Sequence, residues 1–269
     1  MHPPQAILLL GGKGTRIAAL YPDLPKALIP VAGRPFLEHQ LLWLLRGGIR
    51  RIHLAAGVKA DRLCQWLAAP RPPDLAALTL TLTCESAPLG TGGALPPLLS
   101  TLPHDSFLIL NGDSLCPNLD FSTRWNHFPI IGKKFPYHGK NLPHCGKPLS
   151  TEPGAWMFVT PVENAARFGT VDVDPATGDI RAFREKAAVD AGLVNAGIYL
   201  IPRAFIAEIP LNRPVSIETE LFPRWAAEHR LRALFAPSPL LDMGTPDGLA
   251  QTNDFLQNQL STFHPEESP

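Results

Sequence analysis

The sequence predicts an α/β fold with a largely parallel sheet, and three observations support this. Short strand-like runs alternate with longer helix-like runs along the 269-residue chain, which is typical of layered α/β proteins. The strand-like runs AILLL and FLILNGD are apolar enough to be buried, and the second ends in polar residues. The length is sufficient for one large domain with a full core.

The predicted elements are placed by their boundaries and their periodicity. Pro35 begins a helix that a glycine pair closes, and strict alternation marks the strand LTLTLT. The predicted strands are AILLL (6–10), RIHLAAG (51–57), LTLTLT (78–83), FLILNGD (107–113), AWMFVTP (155–161), GTVDVD (169–174), IRAFREK (180–186) and LVNAGIYLI (193–201). The predicted helices are 35–48, about 60–68, 216–229 and 246–260, and DPATGD is a hairpin turn.

Composition excludes several classes of partner. The formal net charge is zero, so no global field attracts nucleic acid or an anionic membrane, and an anionic ligand must be held by a few local cations. The apolar run at 6–10 is too short for a membrane span or a signal sequence, and we expect a cytoplasmic protein. The four cysteines lack CxxC spacing, which favours buried free thiols over a metal site.

One segment, about 122–152, does not fit the α/β pattern. It contains a seven-residue repeat, GKKFPYH, GKNLPHC and GKPLSTE, and it has no Asp or Glu before the last copy. Proline or glycine every few residues excludes a regular helix. We interpret it as a low-complexity insertion, with a basic anion-binding loop as the alternative. The predicted organisation is a single domain over 1–260 that contains this insertion, followed by a disordered tail at 261–269.

The loop GGKGTR after the first strand is a candidate anion-binding site. Its glycines would expose backbone N–H groups to a phosphate. It is not a dinucleotide fingerprint, because Ile17 stands where the third glycine is needed, and no GK pair in the chain is followed by Ser or Thr as a P-loop requires. Arg16 and Lys26 would add two cations, although a solvated surface pair is the alternative for them.

The segment LLLGGKGTRIAALYPDLPKALIPVAGRPFLEH resembles the signature of the sugar-1-phosphate nucleotidyltransferases, in which GGxGTR precedes PKxLxPVxGxPxLE. The resemblance continues, in order, through PLGTGGA (88–94), LNGD (110–113), FREK (183–186), VNAGIYL (194–200) and LDMGTPDGL (241–249). Within that family the chain is most similar to the D-glycero-D-manno-heptose 1-phosphate and mannose-1-phosphate guanylyltransferases. The resemblance implies a Rossmann-like three-layer α/β/α fold with a mostly parallel mixed sheet, the nucleotide-diphospho-sugar transferase or GT-A-like fold.

The resemblance also implies a reaction and its nucleotide site. The sugar phosphate attacks the α-phosphorus of a nucleoside triphosphate and releases pyrophosphate, so catalysis depends on fixed cations and Mg²⁺. Arg16 would grip the β- and γ-phosphates and Lys26 would neutralise the α-phosphate as the catalytic residues. The residues implied to bind the nucleotide are Leu10, Gly11, Gly12, Gly14, Thr15, Glu85, Gly90 and Thr91.

Two aspartates are the candidate Mg²⁺ ligands. Asp113 ends a buried strand at the sheet edge where α/β proteins bind ligands, and a hard oxygen donor suits Mg²⁺. A turn-capping aspartate is the alternative. By resemblance Asp242 is the second metal carboxylate, with capping of the following helix as its alternative.

The implied sugar-phosphate site lies in the second half of the chain. By resemblance Lys186 would hold the phosphate, and Glu185 and Asn195 would bind hydroxyls. Successive strand residues face opposite sides, so only one of Glu185 and Lys186 faces the ligand unless the strand ends or bulges there. Asn195 in an apolar strand needs polar partners, which a sugar or the core could supply.

Glu85 is the residue that indicates which nucleotide base is bound. It stands five residues before Gly90, where relatives specific for uracil or thymine carry glutamine. An ionised carboxylate accepts hydrogen bonds from guanine N1–H and the 2-amino group and repels O4 of uracil or thymine. GTP is therefore favoured, with UTP next and a solvated loop glutamate as the alternative interpretation, and no feature fixes the sugar.

Two further functions stay open at this point. The chain could be a nucleotide-binding remnant without turnover, or a glycosyltransferase in which Asp172, Val173 and Asp174 form a DxD metal motif. The expected partners are a nucleoside triphosphate and a sugar 1-phosphate, with no nucleic acid and no membrane. The apolar helices could serve either the core or a homo-oligomer contact.

Overall fold

The computed structural model describes residues 4–12, 14, 16–17, 19–121, 154–163, 165, 169–184, 191–211 and 213–259, and the backbone of 136–137 and 140–141. Its strands are β1 Gln5–Leu10, β2 Pro30–Val31, β3 Arg34–Pro35, β4 Arg51–Ala56, β5 Thr79–Cys84, β6 Ser106–Asn111, β7 Ser114–Leu115, β8 Pro136–Tyr137, β9 Lys140–Asn141, β10 Ala155–Glu163, β11 Thr170–Val173, β12 Ile180–Arg184, β13 Ala191–Pro202, β14 Leu231–Phe235 and β15 Leu241–Asp242. Its α-helices are α1 Phe36–Arg46, α2 Ala60–Ala68, α3 Gly90–Gly93, α4 Arg203–Ala207, α5 Phe222–Ala227 and α6 Pro246–Asn258. Fully described 3-10 turns lie at Lys26–Leu28, Pro73–Leu75 and Pro96–Ser100, and a π-helical turn lies at Ile217–Leu221.

Nine strands form one mixed central sheet, as predicted. The order is β12-β11-β13-β6-β1-β4-β5, and β10 pairs with both β13 and β14. Strands β6, β1, β4 and β5 run parallel, whereas β13 is antiparallel to β6 and β10. The carboxyl ends of β1 and β6 therefore meet at the same edge of the sheet, where loops of α/β proteins bind ligands.

Both faces of the sheet are covered by apolar layers. Along β1, Leu8 packs with Phe36 and Trp43 in one core, and Ile7 packs with Trp225 in the other. Alternate residues of a strand point to opposite faces, so the continuous apolar run of β1 supplies both cores. The three-layer prediction from the sequence is confirmed.

Several predicted boundaries shift for local reasons. The helix predicted at 216–229 is found over 217–227, but its first part is the π-helical turn and only α5 is α-helical, because Pro223 has no N–H for an α-helical hydrogen bond. The alternating strand β5 lies at the sheet edge and is largely exposed. The sequence analysis missed β14, which pairs parallel to β10, and α4.

The prediction of buried thiols is only partly correct. Cys116 is buried, and burial raises the pKa of its thiol to about 12. Cys64 on α2 and Cys84 at the end of the largely exposed edge strand β5 are both exposed, with their Sγ atoms 3.7 Å apart. The predicted burial is therefore wrong for these two cysteines, and Cys145 lies outside the described residues.

Two predictions fall largely outside the described residues. The tail at 261–269 lies outside them, and within the insertion only the backbone of the short antiparallel pair β8–β9 is described. No helix within the described ranges is long and apolar enough to cross a bilayer.

Candidate active site

The glycine loop and Asp113 are brought together by strand register. Leu9 of β1 pairs with Asn111 of β6, and the Gly112 N–H donates to the Leu9 carbonyl at 3.1 Å. The two loops that follow these strands consequently leave the sheet side by side. Two segments about 100 positions apart in sequence thus share one sheet edge.

Two adjoining cavities open at this edge. The first, called the glycine cavity below, has a volume of about 430 Å³ and is lined by Leu9, Leu10, Gly11, Gly12, Gly14, Lys26, Ala27, Ala55, Glu85, Pro88, Gly90, Thr91, Ala94, Asn111, Gly112, Asp113 and Glu218. The second, called the aspartate cavity, has a volume of about 390 Å³ and is lined by Gly14, Arg16, Lys26, Asn111, Asp113, Ser114, Asn195, Gly197, Leu240, Asp242 and Gly244. Lys26 and Asp113 belong to both linings, so they stand on the wall that the two cavities share.

Lys26 and Asp113 form an ion pair on that shared wall. The Lys26 Nζ lies 2.6 Å from Asp113 Oδ2, and the side chains are 18% and 30% exposed. The stem of Lys26 runs past Gly14, where a Cβ would lie 3.7 Å from Lys26 Cε. Asp113 Oδ1 accepts a hydrogen bond from the Ser114 hydroxyl at 3.1 Å. The described hydrogen bonds to this carboxylate come from side chains rather than from backbone N–H groups. The turn-capping interpretation of Asp113 is therefore not supported.

Asp242 is held beside Asp113 by a second strand pair. Strand β15 pairs with β7 so that Asp242 faces Ser114, and the Met243 N–H donates to the Asp113 carbonyl at 2.9 Å. Asp242 Oδ1 accepts from the Gly244 N–H at 2.7 Å. The N-cap of α6 is Thr245, whose hydroxyl accepts from the Gly248 N–H, so the capping alternative for Asp242 is wrong.

The pair of aspartates fits a hard divalent cation. Mg²⁺ takes one or two carboxylates from the protein and completes its octahedron with water and substrate phosphates. Among the described residues no group of three or more His, Cys, Asp or Glu is arranged as a metal site. The donor set at this edge is therefore suited to an ion that brings its remaining ligands with the substrate.

Arg16 lines the aspartate cavity and is exposed. It thus shares one cavity with Lys26, Asp113 and Asp242, as the predicted site requires, although it does not line the glycine cavity. Three other predicted site residues, Thr15, Glu185 and Lys186, lie outside the described residues.

Asn195 belongs to a hydrogen-bonded network on β13. Its Oδ1 accepts from the Gly197 N–H at 2.8 Å, and its Nδ2 donates to the Tyr199 phenol at 2.9 Å. Asn111 Nδ2 donates to the same phenol at 3.5 Å. Burial, followed by the charge of Glu218, raises the pKa of Tyr199 well above its ordinary value, so this phenol stays neutral. The protein thus fixes the Asn195 amide while the residue lines the aspartate cavity.

Glu85 lines the glycine cavity beside the first glycine loop. Its carboxylate lies against two glycines, since a Cβ on Gly57 would be 3.2 Å from Glu85 Oε2 and one on Gly11 would be 3.5 Å from either oxygen. Burial raises the pKa of Glu85, and a hydrogen bond from the Leu89 N–H lowers it by a smaller amount. A carboxylate in this setting is not the solvated loop residue that the alternative interpretation required.

The Gly90–Thr91 turn is hydrogen-bonded to a segment that is distant in sequence. The Thr91 hydroxyl donates to Glu218 Oε2 at 2.7 Å and accepts from the Ile217 N–H at 2.9 Å. The Val215 carbonyl accepts from the Gly92 N–H at 2.9 Å. Glu218 lines the glycine cavity and was missed by sequence analysis, because no spacing rule connects residues 127 positions apart.

The DxD alternative is not supported by its surroundings. Asp174 accepts hydrogen bonds from the Ala176 N–H at 2.8 Å and from Arg181 at 2.6 Å, and these contacts lower its pKa. This carboxylate therefore builds the predicted hairpin turn between β11 and β12. Neither Asp172 nor Asp174 lines the glycine cavity or the aspartate cavity.

The fold is that of an α/β protein with two adjoining cavities at the carboxyl edge of its sheet. The chain belongs to the nucleotidyl transferase family, whose model matches residues 5–129 and 147–259. The unmatched residues between these ranges fall inside the predicted insertion, which stays a prediction.

Named relatives cover most of this chain. It is 31% identical over 266 residues to the mannose-1-phosphate guanylyltransferase catalytic subunit beta of Xenopus tropicalis. This alignment covers 97% of this chain and 67% of that protein. It is 32% identical over 246 residues to the probable mannose-1-phosphate guanylyltransferase 3 of Oryza sativa subsp. japonica, covering 90% of this chain and 62% of that protein. The chain thus spans about two thirds of the length of these relatives. The resemblance seen in the sequence is confirmed.

Solved structures share the fold. HddC from Yersinia pseudotuberculosis aligns with a TM-score of 0.76 at 23% identity, over 94% of this chain and 100% of that chain. A putative glucose-1-phosphate thymidylyltransferase from Bacillus anthracis aligns with a TM-score of 0.73 at 19% identity, over 95% and 96%. These likenesses establish the fold class.

Proposed function

We propose that the protein is a Mg²⁺-dependent sugar-1-phosphate nucleotidyltransferase that joins a nucleoside triphosphate, with GTP preferred, to a sugar 1-phosphate and releases pyrophosphate. One observation carries the proposal: two cavities of substrate size meet at a wall that holds Lys26 and Asp113. A two-substrate reaction needs such a meeting point, because the attacking phosphate oxygen and the α-phosphorus must be brought within contact distance.

The nucleotide is assigned to the glycine cavity. Gly11 and Gly12 leave room there for the triphosphate, and Lys26 faces it as a cation whose position is fixed by Asp113. Negative charge spreads over the phosphoryl oxygens in the transition state, so a fixed cation at the α-phosphate stabilises that state more than the ground state. Lys26 is therefore the first catalytic candidate, and Arg16 at the edge of the aspartate cavity is the second.

The preference for GTP rests on Glu85. A carboxylate at the end of the glycine cavity accepts two hydrogen bonds from guanine, whereas uracil would place its O4 acceptor against the same charge. The Xenopus tropicalis and Oryza sativa relatives described above are named as guanylyltransferases, and HddC, which shares the fold, has been solved in complex with GMP-PN. A UTP-specific enzyme would need a donor at this position instead.

The sugar 1-phosphate is assigned to the aspartate cavity, where Asn195 is available to its hydroxyls. Asp113 and Asp242, which both line the aspartate cavity, would hold Mg²⁺. The ion, when bound, supplies positive charge to the phosphates of both substrates. The protein's own contribution is to hold the two carboxylates on paired strands and Lys26 opposite them.

A pyrophosphate assay tests the proposal. The purified protein is incubated with Mg²⁺, each of GTP, UTP, ATP and CTP, and a panel of sugar 1-phosphates that includes mannose and heptose phosphates. We expect release that needs both substrates and is fastest with GTP. Binding of nucleotide without release would instead identify a remnant, and fastest release with UTP would contradict the role of Glu85.

A further inference from the structure

Glu218 is a carboxylate in the glycine cavity to which the proposed reaction gives no role. Both of its hydrogen bonds fall on one oxygen, since Oε2 accepts from Thr91 Oγ1 at 2.7 Å and from Ser216 Oγ at 3.1 Å. Within the described residues Oε1 accepts none, and no Lys or Arg lies within 4.0 Å of the carboxylate. One oxygen is thus fixed by the protein and the other is left for a ligand.

The chemistry of that ligand group follows from the charge. A carboxylate without a described cation beside it repels phosphates, so among the groups of the two proposed substrates its partner is a neutral donor, and hydroxyl groups donate the strongest neutral hydrogen bonds to a carboxylate. In the two proposed substrates such donors are the hydroxyls of the sugar and of the ribose, and the N–H groups of the base.

The position of Glu218 selects the sugar among these donors. The π-helical turn that bears Glu218 leads into Phe222, whose ring packs on Tyr199 with centroids 4.8 Å apart. The Tyr199 phenol in turn bonds Asn195 and Asn111, which line the aspartate cavity. Glu218 lines the glycine cavity and not the aspartate cavity, but its charge contributes to the raised pKa of the Tyr199 phenol, so its carboxylate lies on the side of the glycine cavity near Asn111 and Asn195. Glu85, by contrast, is assigned to the base.

The carboxylate is also held rigidly. Thr91 Oγ1 donates to Glu218 and accepts from the Ile217 N–H, which restricts rotation of the threonine side chain. Ser216 caps the same turn by accepting from the Thr219 N–H. A preorganised acceptor discriminates strongly, because a substrate that lacks the hydroxyl leaves the carboxylate desolvated and unpaired.

We propose that Glu218 determines specificity for the sugar 1-phosphate by accepting a hydrogen bond from one of its ring hydroxyls. The inference rests on the proposed function and adds to it a residue that reads the acceptor substrate.

Steady-state kinetics with Mg²⁺, GTP and the best sugar 1-phosphate of the panel test this role. In Glu218→Gln we expect the KM for the sugar 1-phosphate to rise about 10- to 100-fold, the range for losing a hydrogen bond to a charged group, with the KM for GTP within about twofold. Glu220→Gln is the matched control, since Glu220 is exposed and paired with Arg213, and both KM values should stay unchanged.

Monodeoxy sugar 1-phosphates identify the hydroxyl. The wild type should reject one deoxy analogue, and Glu218→Gln should accept that analogue and the parent sugar about equally, which a merely structural role would not produce. If Glu218→Gln does not fold, Glu218→Asp retains the charge, retracts the carboxylate and should show the same selective loss.

The contrary outcomes are separable. A wild type that releases no pyrophosphate with any pair overturns the proposed function and this inference with it. An active wild type with an unchanged sugar KM and unchanged deoxy discrimination in Glu218→Gln overturns the inference alone. So does a rise confined to the KM for GTP, which would place Glu218 against the ribose or the base.

Discussion

Gly90→Ala should lower the free energy of unfolding for two reasons: a side chain strains the backbone at Gly90, and its Cβ displaces the Val215 carbonyl. Gly90 has φ +73°, in the left-handed region, where a side chain costs about 1–2 kcal/mol. A Cβ at Gly90 would also lie 2.5 Å from the Val215 carbonyl oxygen, so the carbonyl must move. That oxygen accepts from the Gly92 and Gly93 N–H groups at 2.9 and 3.3 Å, and each bond contributes about 1 kcal/mol.

The two terms together predict a loss of about 2–4 kcal/mol in the free energy of unfolding. Gly33→Ala provides the control for the first term alone, because Gly33 has φ +82° and a Cβ added there would meet no atom of the described, non-adjacent residues within 4 Å. We expect that variant to lose about 1–2 kcal/mol. The difference between the variants then measures the cost of displacing Val215.

Urea denaturation monitored by tryptophan fluorescence gives both values, and equal slopes for the variants make the comparison valid. A Gly90→Ala variant that loses no more stability than Gly33→Ala would refute the reasoning. It would show that the contact between the glycine turn and the segment at 215 is not held as tightly as the distances indicate.

Five further predictions concern the site and its surroundings. Asp113→Asn should abolish Mg²⁺-dependent pyrophosphate release without unfolding the protein, and normal turnover would remove this residue from the site. Lys26→Ala should lower kcat more than it weakens GTP binding measured by calorimetry, because its charge acts mostly in the transition state; an unchanged kcat would contradict that. Glu85→Gln should shift the ranking of nucleotides away from GTP in competition assays. Burial raises the pKa of Glu85 in the folded protein, so ionisation of Glu85 lowers the free energy of unfolding above that pKa and has no effect below the unfolded value of about 4.3. Glu85→Gln should therefore raise Tm at about pH 7 and leave Tm unchanged at about pH 3.5. An identical Tm difference at both pH values would argue against the burial of Glu85. Iodoacetamide at pH 8 should modify Cys64 and Cys84 before Cys116 in the native protein, as mapped by mass spectrometry, because burial keeps the Cys116 thiol protonated.

Much of the fold was predictable because its signals are local. Continuous apolar runs identified β1 and β6, alternation identified β5, and turn residues identified the hairpin at 174–179. Errors had one local and one tertiary cause. Pro223 lacks the N–H that regular α-helical hydrogen bonding would need in a segment whose apolar spacing looked continuous, and the edge position of β5 in the sheet leaves Cys84 accessible.

The sequence alone determined the family, the glycine loop and the identity of the candidate cations and aspartates, since motifs in a fixed order are a property of the chain. Only the tertiary structure decided which of them meet. Parallel register set Leu9 beside Asn111, and a short strand pair set Asp242 beside Ser114. Glu218 reached the cavity through a hydrogen bond to Thr91. Such contacts between distant segments depend on how sheet edges and loops close on one another, and neither periodicity nor spacing encodes that.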